Sequence, residues 1–192
     1  MKIAILLATY NRKEKTIACL KAVEEQELPS DFNVEIFLTD DASSDGTLSE
    51  IRRLFPDINL YKGTGSLFWA GGMRNSWKQA LNKHFDYFLL LNDDTFLFQD
   101  AIVRLILSNL NFYKANSKCA ISIGSTIDPQ TGKISYGGRR LYSKCKVQSY
   151  LIQSEHKNVE CDLGEGNIML VPKSIVQKIG ILSEKYKHAI FD

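Results

Sequence analysis

Three short polar segments of this chain have the residue types and spacing to do chemistry. Each comes directly after an apolar run. Thr9-Tyr10-Asn11-Arg12 follows Ile3–Ala8, Asp40 and Asp41 (with Ser43 and Asp45) follow Val34–Leu38, and Asn92-Asp93-Asp94 follows Tyr87–Leu91. Carboxylates crowded together repel one another unless a cation or a hydrogen-bond donor sits among them. A hard divalent cation is the economical answer, because carboxylate oxygens suit Mg2+ or Mn2+, which keep several waters and bind substrate phosphates. A plainer reading stays open for each piece, since an Asp pair after a strand also makes turns and helix caps.

The elements that must hold these groups follow from the apolar pattern. Ile3–Ala8 and Tyr87–Leu91 are continuous apolar runs, as expected of strands covered on both faces. Helices are predicted over Thr16–Gln26, over Thr47–Phe55 with Ser44 or Asp45 as cap, over Met73–Lys83 and over Ala101–Tyr113 behind Asp100. Strands are predicted at Val34–Leu38, Ile58–Tyr61 and Ala120–Ile123, and Gly63–Gly72 reads as a glycine-rich loop carrying Phe68 and Trp69. Strand and helix alternate throughout, which argues for an α/β domain with a mainly parallel sheet. In such a sheet ligands bind beyond the carboxyl ends of the strands, which is where the three polar segments lie. From Thr126 the style changes to short β-like pieces, then a strand at Asn167–Val171 and a short helix over Pro172–Ile179.

Composition narrows the class further. The chain has 192 residues, of which 44% are hydrophobic and 24% charged, enough for one core and against intrinsic disorder. A net charge of +2 gives no large positive field, so nucleic acid is not an expected partner. No apolar run reaches the roughly 18–20 residues needed to span a bilayer. Ile3–Ala8 reads as a buried strand and not a signal peptide, because no small-residue cleavage site follows it. Cys19, Cys119, Cys145 and Cys161 are scattered, which suits reduced thiols in a cytoplasmic protein. Gly63-x-Gly65-x-x-Phe68 lacks the third glycine of a dinucleotide fingerprint, and no phosphate-loop motif with its Gly-Lys pair is present.

In order, Leu7-Ala8-Thr9-Tyr10-Asn11-Arg12, Thr39-Asp40-Asp41-Ala42-Ser43-Ser44-Asp45-Gly46-Thr47, Gly71-Gly72-Met73-Arg74-Asn75 and Leu91-Asn92-Asp93-Asp94 resemble the family 2 glycosyltransferases. The resemblance covers essentially the whole chain and has a rhamnosyltransferase-like cast. It implies the GT-A fold, a Rossmann-like mainly parallel sheet flanked by helices, with a smaller mixed β region on the acceptor side. It implies a nucleotide-sugar part over residues 1–125 and an acceptor-side part over 126–192. The implied activity is metal-dependent, inverting transfer of a sugar from a UDP- or dTDP-linked donor to a saccharide or lipid-linked acceptor, of the bacterial surface-polysaccharide type. A lipid-linked acceptor would bring the protein to the inner face of the membrane.

Carried over position by position, the resemblance implies that Ala8, Thr9, Tyr10 and Arg12 line the nucleotide pocket together with Gly72. Asp41 would accept from the pyrimidine base with Asp40 beside it, and Arg74 would approach the base or the diphosphate. Asn92-Asp93-Asp94 stands where the family has its D-x-D motif, so Asp94 is the implied Mn2+ or Mg2+ ligand and Asp93 the sugar or ribose contact. Asp192 falls at the position of the general base, with Phe191 where the family has Glu or Gly. Trp69 reads either as an acceptor-sugar platform or as core, and Glu165 falls on the acceptor side. Because the family normally continues beyond the base, a domain cut short after Asp192 is expected. A binding domain without turnover, or a sugar nucleotidyltransferase, are the rival readings. The latter is disfavoured because its glycine-rich basic signature is replaced here by Thr-Tyr-Asn-Arg.

Overall fold

The computed structural model describes residues 1–143, 148–154 and 157–185. The first apolar run forms β1 (Lys2–Thr9), buried at every residue but the first. Helix α1 (Lys13–Glu24) leads to β2 (Asn33–Asp40), α2 (Thr47–Leu54) to β3 (Asn59–Lys62), α3 (Phe68–Ala80) to β4 (Tyr87–Leu91) and α4 (Ala101–Asn116) to β5 (Ser122–Ile123). Two small sheets follow: β6 (Thr126–Ile127) pairs with β7 (Ile134–Tyr136), and β8 (Gly138–Leu141) lies between β9 (Ser149–Leu151) and β10 (Leu163–Gly164). The chain then returns to the main sheet as β11 (Ile168–Pro172) and ends its described part after α5 (Lys173–Ile179).

The main sheet has six strands in the order β3-β2-β1-β4-β11-β5. The first four are mutually parallel, while β11 runs antiparallel to both β4 and β5. Strand residues point alternately to the two faces. Ile3, Ile5 and Leu7 therefore join Leu20 of α1, Ile51 of α2 and Ile106 of α4 in one core. Ala4 and Leu6 face the other way and meet Met73, Trp77 and Ala80 of α3 and Val176 of α5. The product is three layers, helix on sheet on helix, with Trp77 in the core as its helical spacing predicts.

Two details bear on the sequence expectation. Helix α3 starts at Phe68, five residues before the predicted start, so Gly71 and Gly72 are helical and not part of a loop. The reason is proximity: a Cβ on Gly72 would lie 2.8 Å from Ala8 Cβ, so the bare backbone lets α3 lie against β1. Second, the residue heading α2 is Gly46, in the left-handed region at φ 85°. The cap comes from Asp45, whose Oδ1 accepts the Thr47 N–H at 3.0 Å and whose Oδ2 accepts the Lys13 N–H at 3.1 Å. Slight burial pushes the Asp45 carboxyl up, but the hydrogen bonds from Thr47 and Lys13 outweigh it and hold it below the usual carboxylate range.

Helix propensity alone would make Gly72→Ala stabilising by about 1 kcal/mol. The contact with Ala8 reverses that sign, because overpacking a tight interface costs about 1–3 kcal/mol. Urea unfolding should show Gly72→Ala less stable than the wild type with an unchanged slope. Equal or greater stability would mean that α3 does not rest on β1 in this way.

Candidate functional site

The parallel register sets the carboxyl ends of three strands side by side. Thr9 pairs with Asp40, and β1 pairs with β4 through Leu6 and Leu90. The loops leaving β1 and β2 are stitched together. Asn11, in the left-handed region at φ 51°, donates its N–H to Ser43 Oγ at 2.8 Å and accepts the Ser44 N–H on Oδ1 at 2.7 Å. An Asn tolerates that backbone conformation because its short side chain bonds locally. Ala8 and Thr9 are buried at this edge, while the Tyr10 side chain stands out of it, 55% exposed.

Asp40 is fully buried; its Oδ1 accepts the Ser43 N–H at 2.9 Å, and its Oδ2 is buried without a hydrogen-bond partner. Such an orphan acceptor is unusual in a folded protein. Asp41 is the opposite case. Its Oδ1 accepts from Gly65 N–H at 2.7 Å, and its Oδ2 from Leu67 and Phe68 N–H at 2.8 and 3.1 Å. It thereby fixes the start of α3 and retains, of about four lone-pair positions, one on Oδ1.

The third segment carries two adjacent carboxylates. Asp93 is 5% exposed. The Thr9 hydroxyl is 2.8 Å from that of Thr16, whose Oγ1 lies 3.4 Å from Asp93 Oδ2. Burial pushes the Asp93 carboxyl above its ordinary range; the hydrogen bond from Thr9 and the charge of Arg12 pull the other way, and Asp94 adds to the rise. Arg12 Nη1 reaches both carboxylates, Asp93 Oδ1 at 3.3 Å and Asp94 Oδ2 at 3.0 Å, and Lys15 Nζ stands 3.8 Å from Asp94 Oδ2. Asn92 is held by its surroundings. Its N–H donates to Asn167 O at 3.0 Å, its carbonyl accepts from Cys19 Sγ at 3.4 Å, and its Oδ1 accepts the Trp69 indole N–H at 2.8 Å. Burial pushes the Cys19 thiol up to about 12, with Asp93 adding to it, so this thiol stays protonated.

The structure thus brings Ala8, Thr9, Arg12, Asp40, Asp41, Gly72, Asp93 and Asp94 to one edge. Arg74 lies on α3, its Nη1 donating to Ser183 O at 2.9 Å. Trp69 is half-buried between Asn92 and the loop before β11, where a Cβ on Gly166 would come within 2.9 Å of its ring. Glu165 braces that loop, accepting the Gly137 N–H at 2.9 Å and pairing with Arg139 at 3.1 Å. Asp192 and His188 lie outside the described residues.

Sequence reasoning missed Thr16, whose hydroxyl lies on the apolar face of α1 directly behind Asp93, and the polar ladder behind the edge. In that ladder Asn75 donates to Thr39 Oγ1 at 3.0 Å, and Ser76 shares a 2.8 Å bond with Thr39 and donates to Leu7 O at 2.8 Å. Hydroxyls breaking the apolar faces of helices packed on the sheet were the available signal.

A cation at Asp94 fits the donor set in one way only. Among the described residues no group of three or more His, Cys, Asp or Glu side chains is disposed to hold a metal. Asn92 already gives its oxygen to Trp69. One carboxylate, completed by phosphate oxygens and water, is nevertheless a common Mg2+ arrangement.

Comparison with known proteins gives a consistent picture. The model of the family described as glycosyl transferase family 2 matches residues 4–155. The dTDP-rhamnosyl transferase RfbG of Shigella flexneri is 28% identical over 124 residues, covering 57% of this chain and 40% of that protein. Among solved structures, the mannosyltransferase PcManGT of Pyrobaculum calidifontis, in complex with GDP-Man and Mn2+, superposes with a TM-score of 0.63 at 15% identity. That match covers 93% of this chain and 46% of the other. Residues 1–349 of S. aureus TarS in complex with UDP give 0.62 at 16% identity, over 98% of this chain and 52% of theirs. These two likenesses are of fold, and the chain spans about half the length of both structures.

The Trp69–Asn92 bond carries its own test. Trp69→Phe leaves the Asn92 oxygen without its donor and should cost about 1–3 kcal/mol in urea unfolding. Asn92→Asp keeps the acceptor and should lose less. Equal stability of Trp69→Phe and the wild type would contradict the bond.

Proposed function

The chain belongs to glycosyl transferase family 2 and has the GT-A fold, and we propose that it moves a sugar from a nucleotide-diphosphate donor, UDP- or dTDP-linked, to a saccharide or lipid-linked acceptor. One observation carries this reading: Thr9–Arg12, Asp40–Asp45 and Asn92–Asp94 converge at the carboxyl edge of three adjacent parallel strands. The dTDP donor named for the Shigella flexneri relative favours a deoxythymidine nucleotide within that pair.

In this proposal the nucleoside lies along the β1–β2 edge. The exposed Tyr10 ring offers it a face, and Asp41, with the buried Asp40 beside it, offers an acceptor to a pyrimidine N–H. Arg12 and Arg74 offset the diphosphate charge. Asp94 holds Mn2+ or Mg2+, which when bound supplies Lewis-acid stabilisation of the leaving diphosphate. Asp93, backed by the Thr16 hydroxyl, meets a hydroxyl of the ribose or sugar. Trp69 and Glu165 belong to the acceptor side, Trp69 as the bridge from Asn92 to Gly166 and Glu165 as the brace of that loop. Asp192 is proposed, on the resemblance alone, as the base that takes the acceptor hydroxyl's proton while that oxygen bonds to the anomeric carbon and the bond to the nucleotide diphosphate breaks, a single displacement that inverts the carbon. No helix among the described residues is long and apolar enough to cross a membrane.

Thermal melting with UDP, dTDP and GDP, each with and without Mn2+, tests the proposal. A pyrimidine nucleotide with Mn2+ should raise the melting temperature, and Asp94→Ala should abolish the metal-dependent part of the rise. No shift with any nucleotide would sink the reading.

A further inference from the structure

Arg12 sits where the rules of helix formation would not put it. It is the N-cap residue of α1 and makes no side-chain cap hydrogen bond. That position favours Ser, Thr, Asp or Asn, whose oxygens accept from the first turn, and guanidinium has no acceptor to offer. The amino end of a helix also carries partial positive charge, so a cation there is disfavoured. Lys13 and Lys15 follow in the same turn, with Glu14 between them. Lys13 is turned away, its Nζ 3.5 Å from Asp45 O and 3.6 Å from Glu14. Arg12 and Lys15 instead face the carboxylates of Asp93 and Asp94.

The acidic pair explains what the helix does not. Asp93 is buried and stands beside a second carboxylate, so its charge needs an offset close by. Arg12 Nη1 supplies one by bridging both side chains, and Lys15 adds a second at Asp94 Oδ2. Arg12 and Lys15 therefore already occupy the carboxylate that a divalent cation would use. We propose that Arg12, supported by Lys15, is the resident counter-ion of Asp93–Asp94: a divalent cation binds only by displacing it, and a nucleotide diphosphate is the anion to which the displaced guanidinium transfers. The inference rests on Asp94 as the cation ligand and on this edge as the donor site. Its consequence is coupling. Cation alone competes with Arg12 and binds weakly, whereas cation together with diphosphate gives every charge a partner. The half-exposed Arg12 side chain leaves room for that move.

Calorimetric titration of Mn2+ alone, without nucleotide, reads the competition directly. Arg12→Ala should bind Mn2+ about three- to tenfold more tightly than the wild type, as expected from losing an ion pair to two carboxylates. Lys15→Ala should shift the same way by less. UDP or dTDP without metal should bind Arg12→Ala more weakly than the wild type. If Arg12→Ala does not fold, Arg12→Gln removes the charge with less loss of packing and should show the same gain. No gain in Mn2+ affinity in either variant, whether binding is unchanged, weaker or unmeasurable, overturns the counter-ion role. Should nucleotides bind with Mn2+ while that gain is missing, only this inference falls. If no nucleotide binds the wild type under any condition, the donor-site reading itself falls.

Discussion

Carboxylates brought together at the end of a sheet have to be neutralised, and much of this molecule is arranged around that requirement. Parallel pairing of β1 with β2 and β4 makes the chain leave the core at one edge three times, each time into polar residues. Each acidic side chain there meets its charge differently. Asp41 gives both oxygens to backbone N–H groups and so anchors α3. Asp45 caps α2. Asp93 and Asp94 lean on Arg12 and Lys15. Asp40 keeps one buried oxygen without a partner.

The same edge is tied to the segment before β11 by few, specific contacts. Trp69 reaches from the start of α3 to Asn92, and Gly166 lies against its ring because a side chain there would not fit. Strand β11 enters the main sheet beside β4, and Asn167, the residue before it, bonds Asn92. The motif that would face the diphosphate and the loop that would face the acceptor are therefore one connected structure. The asparagine at the first motif position is part of that frame, since its oxygen serves the indole.

Much of this was legible in the sequence because the signals were local. Continuous apolar runs marked β1 and β4, and the polar residues after them marked the edge. The resemblance to family 2 rested on those same segments, and the match over residues 4–155 agrees with it. What escaped depended on distant partners. The sequence placed Gly71 and Gly72 in a loop, since glycines usually break helices; the reason for them is Ala8, far away in the chain. The Asn167–Val171 run reads as a strand, but nothing local says that it inserts antiparallel between β4 and β5. Thr16 and Ser76 look like ordinary helix residues until Asp93 and Thr39 are packed behind them. The general base expected at Asp192 lies outside the described residues.

A nucleotide diphosphate is proposed to bind across the carboxyl ends of β1, β2 and β4. Amide hydrogen exchange with and without dTDP or UDP and Mn2+ reads such binding segment by segment. Exchange should slow in residues 9–12, 40–46 and 92–95 together, with β5 and α5 unchanged. Protection confined to β5 and α5, or found in only one of the three segments, would contradict it.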